Sequence, residues 1–185
     1  MAIVINGSGT VTGLAVGGLP DGTVDSGTLA TDSVTAAKLE ASAITVGDLP
    51  AGSVIQVVQT TGTSQTLPST SFSACTPTVT ITPSSSSSKI LVRFNMGGMA
   101  LGSINDIRLQ IKRGSTVIKL STRYGYCNTS TWTPCPITYE VLDSPSTTSA
   151  TTYTLEAMKQ SGGTLEINSS GGTNSGTAIA TEIKG

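Results

Sequence analysis

The sequence predicts an all-β protein in two parts: an extended N-terminal stem built on a ten-residue repeat, then an antiparallel β-sandwich of jelly-roll type. Three observations carry this prediction. All seven aromatic residues (Phe72, Phe94, Tyr124, Tyr126, Trp132, Tyr139 and Tyr153) follow residue 71, so the one substantial core belongs to the C-terminal part. That part alternates apolar and polar residues with a period of two, the signature of strands with one buried face. The residues before it repeat every ten, with two apolar positions in each copy.

The repeat is plain when residues 21–50 are written in tens: DGTVDSGTLA, TDSVTAAKLE, ASAITVGDLP. The fourth place of each decad holds Val24, Val34 and Ile44, with Leu14 before and Val54 after; the ninth holds Leu19, Leu29, Leu39 and Leu49. Two anchors five apart fit neither the period of a strand nor the stripe of a helix. Each decad reads as a short extended piece followed by a turn or a single helical turn, such as Thr35-Ala36-Ala37-Lys38-Leu39. Because Gly, Ser, Thr and Ala fill the remaining places, a lone copy buries too little to offset an ordering cost of about 1–2 kcal/mol per residue. Self-association supplies the missing partner, since around a symmetry axis the anchors of several identical chains meet as layers. The plainer alternative is a low-complexity linker.

From residue 51 the texture changes. Ile90, Val92, Phe94 and Met96 alternate with Leu91, Arg93 and Asn95, while Ile107, Leu109 and Ile111 alternate with Arg108, Gln110 and Lys112. Further strands are expected over residues 53–60, 72–82, 116–126, 136–143, 151–160, 164–168 and 177–184, with a hairpin turn at Arg113-Gly114-Ser115. Residues 83–88 and 144–150 read as polar connections. Eight or nine short strands without a helix point to the sandwich, with a closed barrel as the alternative.

Composition excludes several functions. A net charge of −1 and a pI near 5.3 give no basic face for duplex nucleic acid. Residues 1–53 hold one base (Lys38) against five acids, and the remainder nine bases against six acids, neither a large imbalance. The start Met-Ala-Ile-Val-Ile-Asn-Gly resembles neither a secretory signal nor a membrane span, so cytoplasmic synthesis without a signal peptide or membrane insertion is expected. Three cysteines (Cys75, Cys127, Cys135) lack C-x-x-C spacing, so no metal site is expected; Cys127 and Cys135 are either partners across a hairpin or simple thiols.

No catalytic constellation and no cofactor are expected. The chain has no histidine, the usual base of Ser and Cys hydrolases and the commonest metal ligand. Asp106, Glu140, Asp143, Glu156 and Glu166 are candidate acids of a glycosidase by type only, and read better as solvated strand and loop residues. Gly97-Gly98 and Gly171-Gly172 lack the Lys-Ser/Thr of a phosphate loop. The candidate contact surface is the stretch from Tyr124 to Trp132. There Tyr124, Tyr126, Asn128 and Trp132 combine aromatic and amide groups that can stack on a sugar ring or fill a contact patch. The competing reading is that Tyr124 and Trp132 complete the domain's own core.

Ile3-Val4-Ile5-Asn6-Gly7-Ser8-Gly9-Thr10-Val11-Thr12-Gly13-Leu14, then Gly17-Gly18-Leu19-Pro20-Asp21-Gly22-Thr23-Val24 and Val34-Thr35-Ala36-Ala37-Lys38-Leu39, resemble the N-terminal part of tailed-bacteriophage fibre proteins, especially of phages infecting cyanobacteria. Val54-Ile55-Gln56-Val57-Val58-Gln59, Ile81-Thr82-Pro83-Ser84 with Ser88-Lys89-Ile90-Leu91-Val92, and Leu142-Asp143-Ser144-Pro145 are similar to the distal domains of those fibres. The resemblance implies a homotrimer located in the virion. Residues 1–20 would attach to tail, baseplate, collar or capsid proteins, residues 21–52 would form a trimeric stem, and residues 53–185 would form a tip that meets a host-surface glycan or protein. Leu19, Val24, Leu29, Val34, Leu39, Ile44 and Leu49 would then be the axial layers. A decoration or cement protein without host contact is the alternative from another class, and a depolymerase spike using Glu140 or Asp143 is a third.

Overall fold

In the computed structural model the chain divides into two compact units, Met1–Thr45 and Val46–Gly185. The structure describes residues 4–5, 11–12, 29–35, 37, 39–40, 43–67, 70–101, 105–127, 135–160, 165–168 and 176–185. In the first unit, β1 (Val4–Ile5) and β2 (Val11–Thr12) form an antiparallel pair.

The ten-residue period of the sequence reappears as a period of turns. Ser33 N–H donates to Ala30 O at 3.0 Å, Ala43 N–H to Glu40 O at 2.9 Å and Ser53 N–H to Pro50 O at 3.2 Å. Each turn opens on the residue after a leucine anchor (Leu29, Leu39, Leu49), where small or polar residues tolerate the reversal. A 3-10 turn, Val46–Asp48, precedes the last of them.

The second unit is all antiparallel β. Its strands are β3 (Val54–Gly62), β4 (Gln65–Leu67), β5 (Ser73–Ala74), β6 (Val79–Ile81), β7 (Lys89–Leu101), β8 (Asn105–Arg113), β9 (Thr116–Leu120), β10 (Gly125–Cys127), β11 (Cys135–Asp143), β12 (Thr151–Lys159), β13 (Leu165–Ile167) and β14 (Gly176–Ile183). They form two six-membered sheets and no barrel, which removes the closed alternative.

Several strands are halves of one interrupted line. β3 and then β4 pair with β14 and then β13, β7 runs alongside β14 and β13, and β11 lies on the far side of β7. In the other sheet, β9 and β10 flank one side of β8 in succession, while β6 and β5 flank the far side of β12. Each sheet therefore amounts to four lines. Numbered along the chain, their order is 1-8-3-6 in the first sheet and 5-4-7-2 in the second.

Inward residues of both sheets merge into a single buried cluster, an arrangement consistent with a β-sandwich. Ile90, Val92 and Phe94 of β7, Ala178 and Ala180 of β14, Ile107, Leu109 and Ile111 of β8, and Tyr153, Leu155 and Ala157 of β12 are all buried. The alternation that predicts β7 and β8 thus does place its apolar half inside. Arg113-Gly114-Ser115 turns as expected, with Gly114 at φ +56°, a conformation that favours glycine.

The interruptions depart from the sequence-based expectation. The stretch 72–82 is broken into β5 and β6 around Thr76-Pro77, because Pro77 has no N–H for a ladder and its ring is buried against Gly62. The stretch 116–126 breaks into β9 and β10. Asn168, fully buried and at φ +58°, donates from Nδ2 to Thr63 O and Thr76 O, each at 3.1 Å. It thereby ties three segments at the level where the β3–β4 and β13–β14 lines are interrupted. Among the described residues no helix is long and apolar enough to cross a membrane.

Candidate functional site

Of the four proposed contact residues, Tyr124 is the one whose side chain is described. It directly precedes β10, and its N–H donates to Ile107 O at 2.8 Å, which continues the β8 pairing. Its ring meets Tyr139 of β11 edge-on, with centroids 5.5 Å apart and planes at 85°. Its hydroxyl donates to Thr138 O at 2.7 Å. With 37% of its surface exposed, Tyr124 is neither a core residue nor a free one. It closes the gap between the two sheets and shows one side to solvent.

Tyr126 is placed by its backbone opposite Asp106 of β8, while Asn128 and Trp132 lie outside the described residues. Cys127 ends β10 in one sheet and Cys135 starts β11 in the other, so these strands do not form the hairpin that would have set the two cysteines face to face. Cys75 is a buried free thiol, pushed up to about 12 by burial, with the Glu156 charge adding to the shift and a backbone hydrogen bond from Ala157 opposing it.

Polar chemistry gathers around this aromatic pair. The Lys119 ammonium lies 4.4 Å above the Tyr139 ring and donates to Glu140 O at 2.6 Å. Burial, and then the neighbouring Tyr124, push the Tyr139 phenol above its ordinary value. Among the described residues, Tyr139 OH, Asp106 Oδ1 and Arg108 Nε are buried without a hydrogen-bond partner. Tyr139 itself is buried and its ring is covered by Lys119 and Tyr124, so the aromatic part of this cluster that reaches solvent is one side of Tyr124.

The carboxylates proposed as solvated are mostly held by cations instead. Asp106 pairs with Arg123 at 2.7 Å, Asp143 with Arg113 at 2.9 Å, Glu156 with Lys112 at 3.2 Å and Glu140 with Arg93 at 2.7 Å. Glu140 alone of these is well exposed, whereas Asp106 and Asp143 are nine-tenths buried. Asp143 faces inward and also accepts from the Tyr153 hydroxyl at 2.8 Å. Burial and the Asp143 carboxylate raise the Tyr153 phenol well above its ordinary value. No group of three or more His, Cys, Asp or Glu among the described residues could hold a metal ion.

The proposed stem anchors behave differently from the core. Leu29, Val34, Leu39 and Ile44 are all exposed in the single chain. Leu49 is half-buried, and its carbonyl accepts a short hydrogen bond from the Lys184 ammonium, which also binds Gly47 O at 2.8 Å. Leu19 and Val24 lie outside the described residues.

Sequence reasoning also missed a fully buried carboxylate, Glu182. Glu182 of β14 occupies the inward place that Ala178 and Ala180 hold before it, and it is fully buried. Its Oε1 accepts from Ser84 N–H at 2.7 Å, Ser84 Oγ at 2.6 Å and Ser88 Oγ at 2.7 Å, and its Oε2 from Gln56 Nε2 at 2.6 Å. Burial pushes this carboxyl up, but the hydrogen bonds from Ser84, Gln56 and Ser88 outweigh it and hold the group below its ordinary value. A signal was available: an acid at the inward phase of a clean alternation requires its own donors.

Comparison with protein-family models and with curated proteins gives no match for this chain.

Proposed function

We propose that this chain is a non-enzymatic fibre protein of a bacteriophage virion. Its N-terminal residues attach to the particle, its decads form a thin homotrimeric stem, and its C-terminal unit is a jelly-roll tip that contacts a glycan or protein of the host surface. The observation that carries the reading is the pairing of a ten-residue turn period with apolar anchors left exposed in the single chain. Exposed leucines and valines at fixed spacing, with no partner face among the described residues of their own chain, call for copies of that chain. The line order 1-8-3-6 and 5-4-7-2 supports the jelly-roll reading, because it is the order produced when one long hairpin of four strand pairs is rolled up. The partly exposed ring of Tyr124, held in place by Tyr139 and Thr138, supports a contact role for the tip. Three copies on one stem raise effective concentration, which suits weak single-site contacts.

The test is hydrodynamic and then cellular. Purified full-length chain should sediment as an elongated trimer, and it should compete with intact particles for host cells. A compact monomer overturns the stem. A trimer that binds particles stripped of it but ignores host cells overturns the host-contact role in favour of a cement protein.

A further inference from the structure

We infer that the outward face of the sheet containing β7 and β14 is a packing surface for second copies of this chain. The inference rests on the trimeric reading above and assigns a face of the C-terminal unit to it. Cross-strand register lays Val57, Thr181, Leu91 and Leu142 in one row across all four lines of that sheet. Ile179 lies in the next row, and Val54 faces Ile183 at the end of the sheet. Leu142 is 53% exposed, Val57 59% and Val54 58%, while Leu91, Ile179 and Ile183 are half-buried by their neighbours. Contiguous apolar surface of this kind marks an interface rather than a solvated sheet.

The opposite sheet has a more polar outer face in the same unit. Its β8 and β12 present Arg108, Lys112, Gln110 and Glu156 outward, with Gln110 Nε2 donating to Glu156 Oε2 at 2.5 Å. That face also shows Val117 and Leu120, 46% and 56% exposed, but each stands beside a polar neighbour, Lys112 and Gln110, rather than in an apolar row across the sheet.

The occupant follows from charge and continuity. Arg93 and Glu140 on the apolar face satisfy each other, and Asn95 bridges Thr138 and Thr177 by hydrogen bonds of 3.0 and 3.4 Å. Apart from Lys89, exposed opposite Ile183, and Glu166 of β13, the charges of this face are matched within it, and apolar, charge-depleted surfaces are characteristic of contacts between identical chains. Continuity points the same way. Ile183 is followed by Lys184, whose ammonium holds the carbonyl of Leu49, the last anchor of the repeat. Any axis that gathers the Leu49 residues of several copies brings this end of their apolar faces together.

The test uses the full chain. Hydroxyl-radical footprinting of the trimer, read by peptide mass spectrometry, should leave Leu142 protected while Leu120, exposed on the other sheet, is labelled. The double variant Val57→Lys/Leu142→Lys should dissociate at a concentration at least tenfold higher than the unaltered chain, and Val117→Lys/Leu120→Lys should not. A trimer in which Leu142 is labelled as strongly as Leu120, or one indifferent to the first double variant, overturns this assignment and leaves assembly through the decads intact. A monomeric unaltered chain overturns both.

Discussion

Replacing Glu182 with Gln keeps shape and volume and removes one charge. In the native unit the carboxylate takes four hydrogen bonds, three on Oε1 and one on Oε2. An amide whose oxygen stays at the Oε1 position keeps three of them, now neutral, while its NH2 group confronts the Gln56 Nε2 donor. Gln56 cannot simply flip, because the same Nε2 also donates to Thr82 O at 2.7 Å and a flip would set two acceptors together. One charge-assisted bond is lost, at about 1.5–3 kcal/mol, and three others weaken. The variant should lose about 3 kcal/mol on that basis, near the upper end expected of a conservative substitution.

The sign of the pH dependence is also fixed. A carboxyl held below its ordinary value in the folded state stabilises fully above its unfolded value, and that stability is lost as pH falls through the lower folded value. Urea denaturation of Glu182→Gln and the unaltered chain should give the full gap at neutral pH, shrinking once pH drops below about 4. A gap under about 0.5 kcal/mol at neutral pH, or one that stays constant into acid, would refute the account of Glu182 as an ionised hub.

Leu39→Asp should weaken trimer assembly by tenfold or more, since burying one leucine stabilises by about 1.5–3 kcal/mol, while the melting of residues 46–185 stays unchanged; sedimentation and circular dichroism read the two effects. Gly62→Ala sets a Cβ 2.5 Å from Pro77 Cδ and 2.7 Å from the Thr76 carbonyl carbon, so it should destabilise by about 1–3 kcal/mol in the same urea assay. Cys75, buried and with its thiol pushed up to about 12, should resist iodoacetamide at pH 8 in the folded chain and react after unfolding, as followed on its own peptide.

The parts legible in the sequence are those whose cause is local. β8, β12 and β14 fall within two residues of the stretches their alternation predicts, whereas β7 runs five residues past Met96, where its alternation ends. The repeat was legible because its anchors recur at fixed spacing. What escaped depends on distant partners. β4 has one buried residue, Leu67, in a run of Thr and Ser, and is a strand because β13 pairs with it about a hundred residues away. Asp143 and Glu156 read as solvated because their cations, Arg113 and Lys112, lie 30 and 44 residues upstream. By sequence Tyr124 reads as either core or contact; it is a seam between sheets, a role fixed by Thr138 and Tyr139.

That seam bears on life at high copy number. β11 pairs with β7 on one side, which leaves its other edge to offer backbone carbonyls. Thr138 O is taken by the Tyr124 hydroxyl and Glu140 O by the Lys119 ammonium. A foreign strand seeking to extend the sheet finds two successive outward acceptors already occupied and a cation in its path, the guard that keeps exposed edges from templating aggregation. On the trimeric reading proposed above, such an edge would let copies meet face to face without zipping edge to edge.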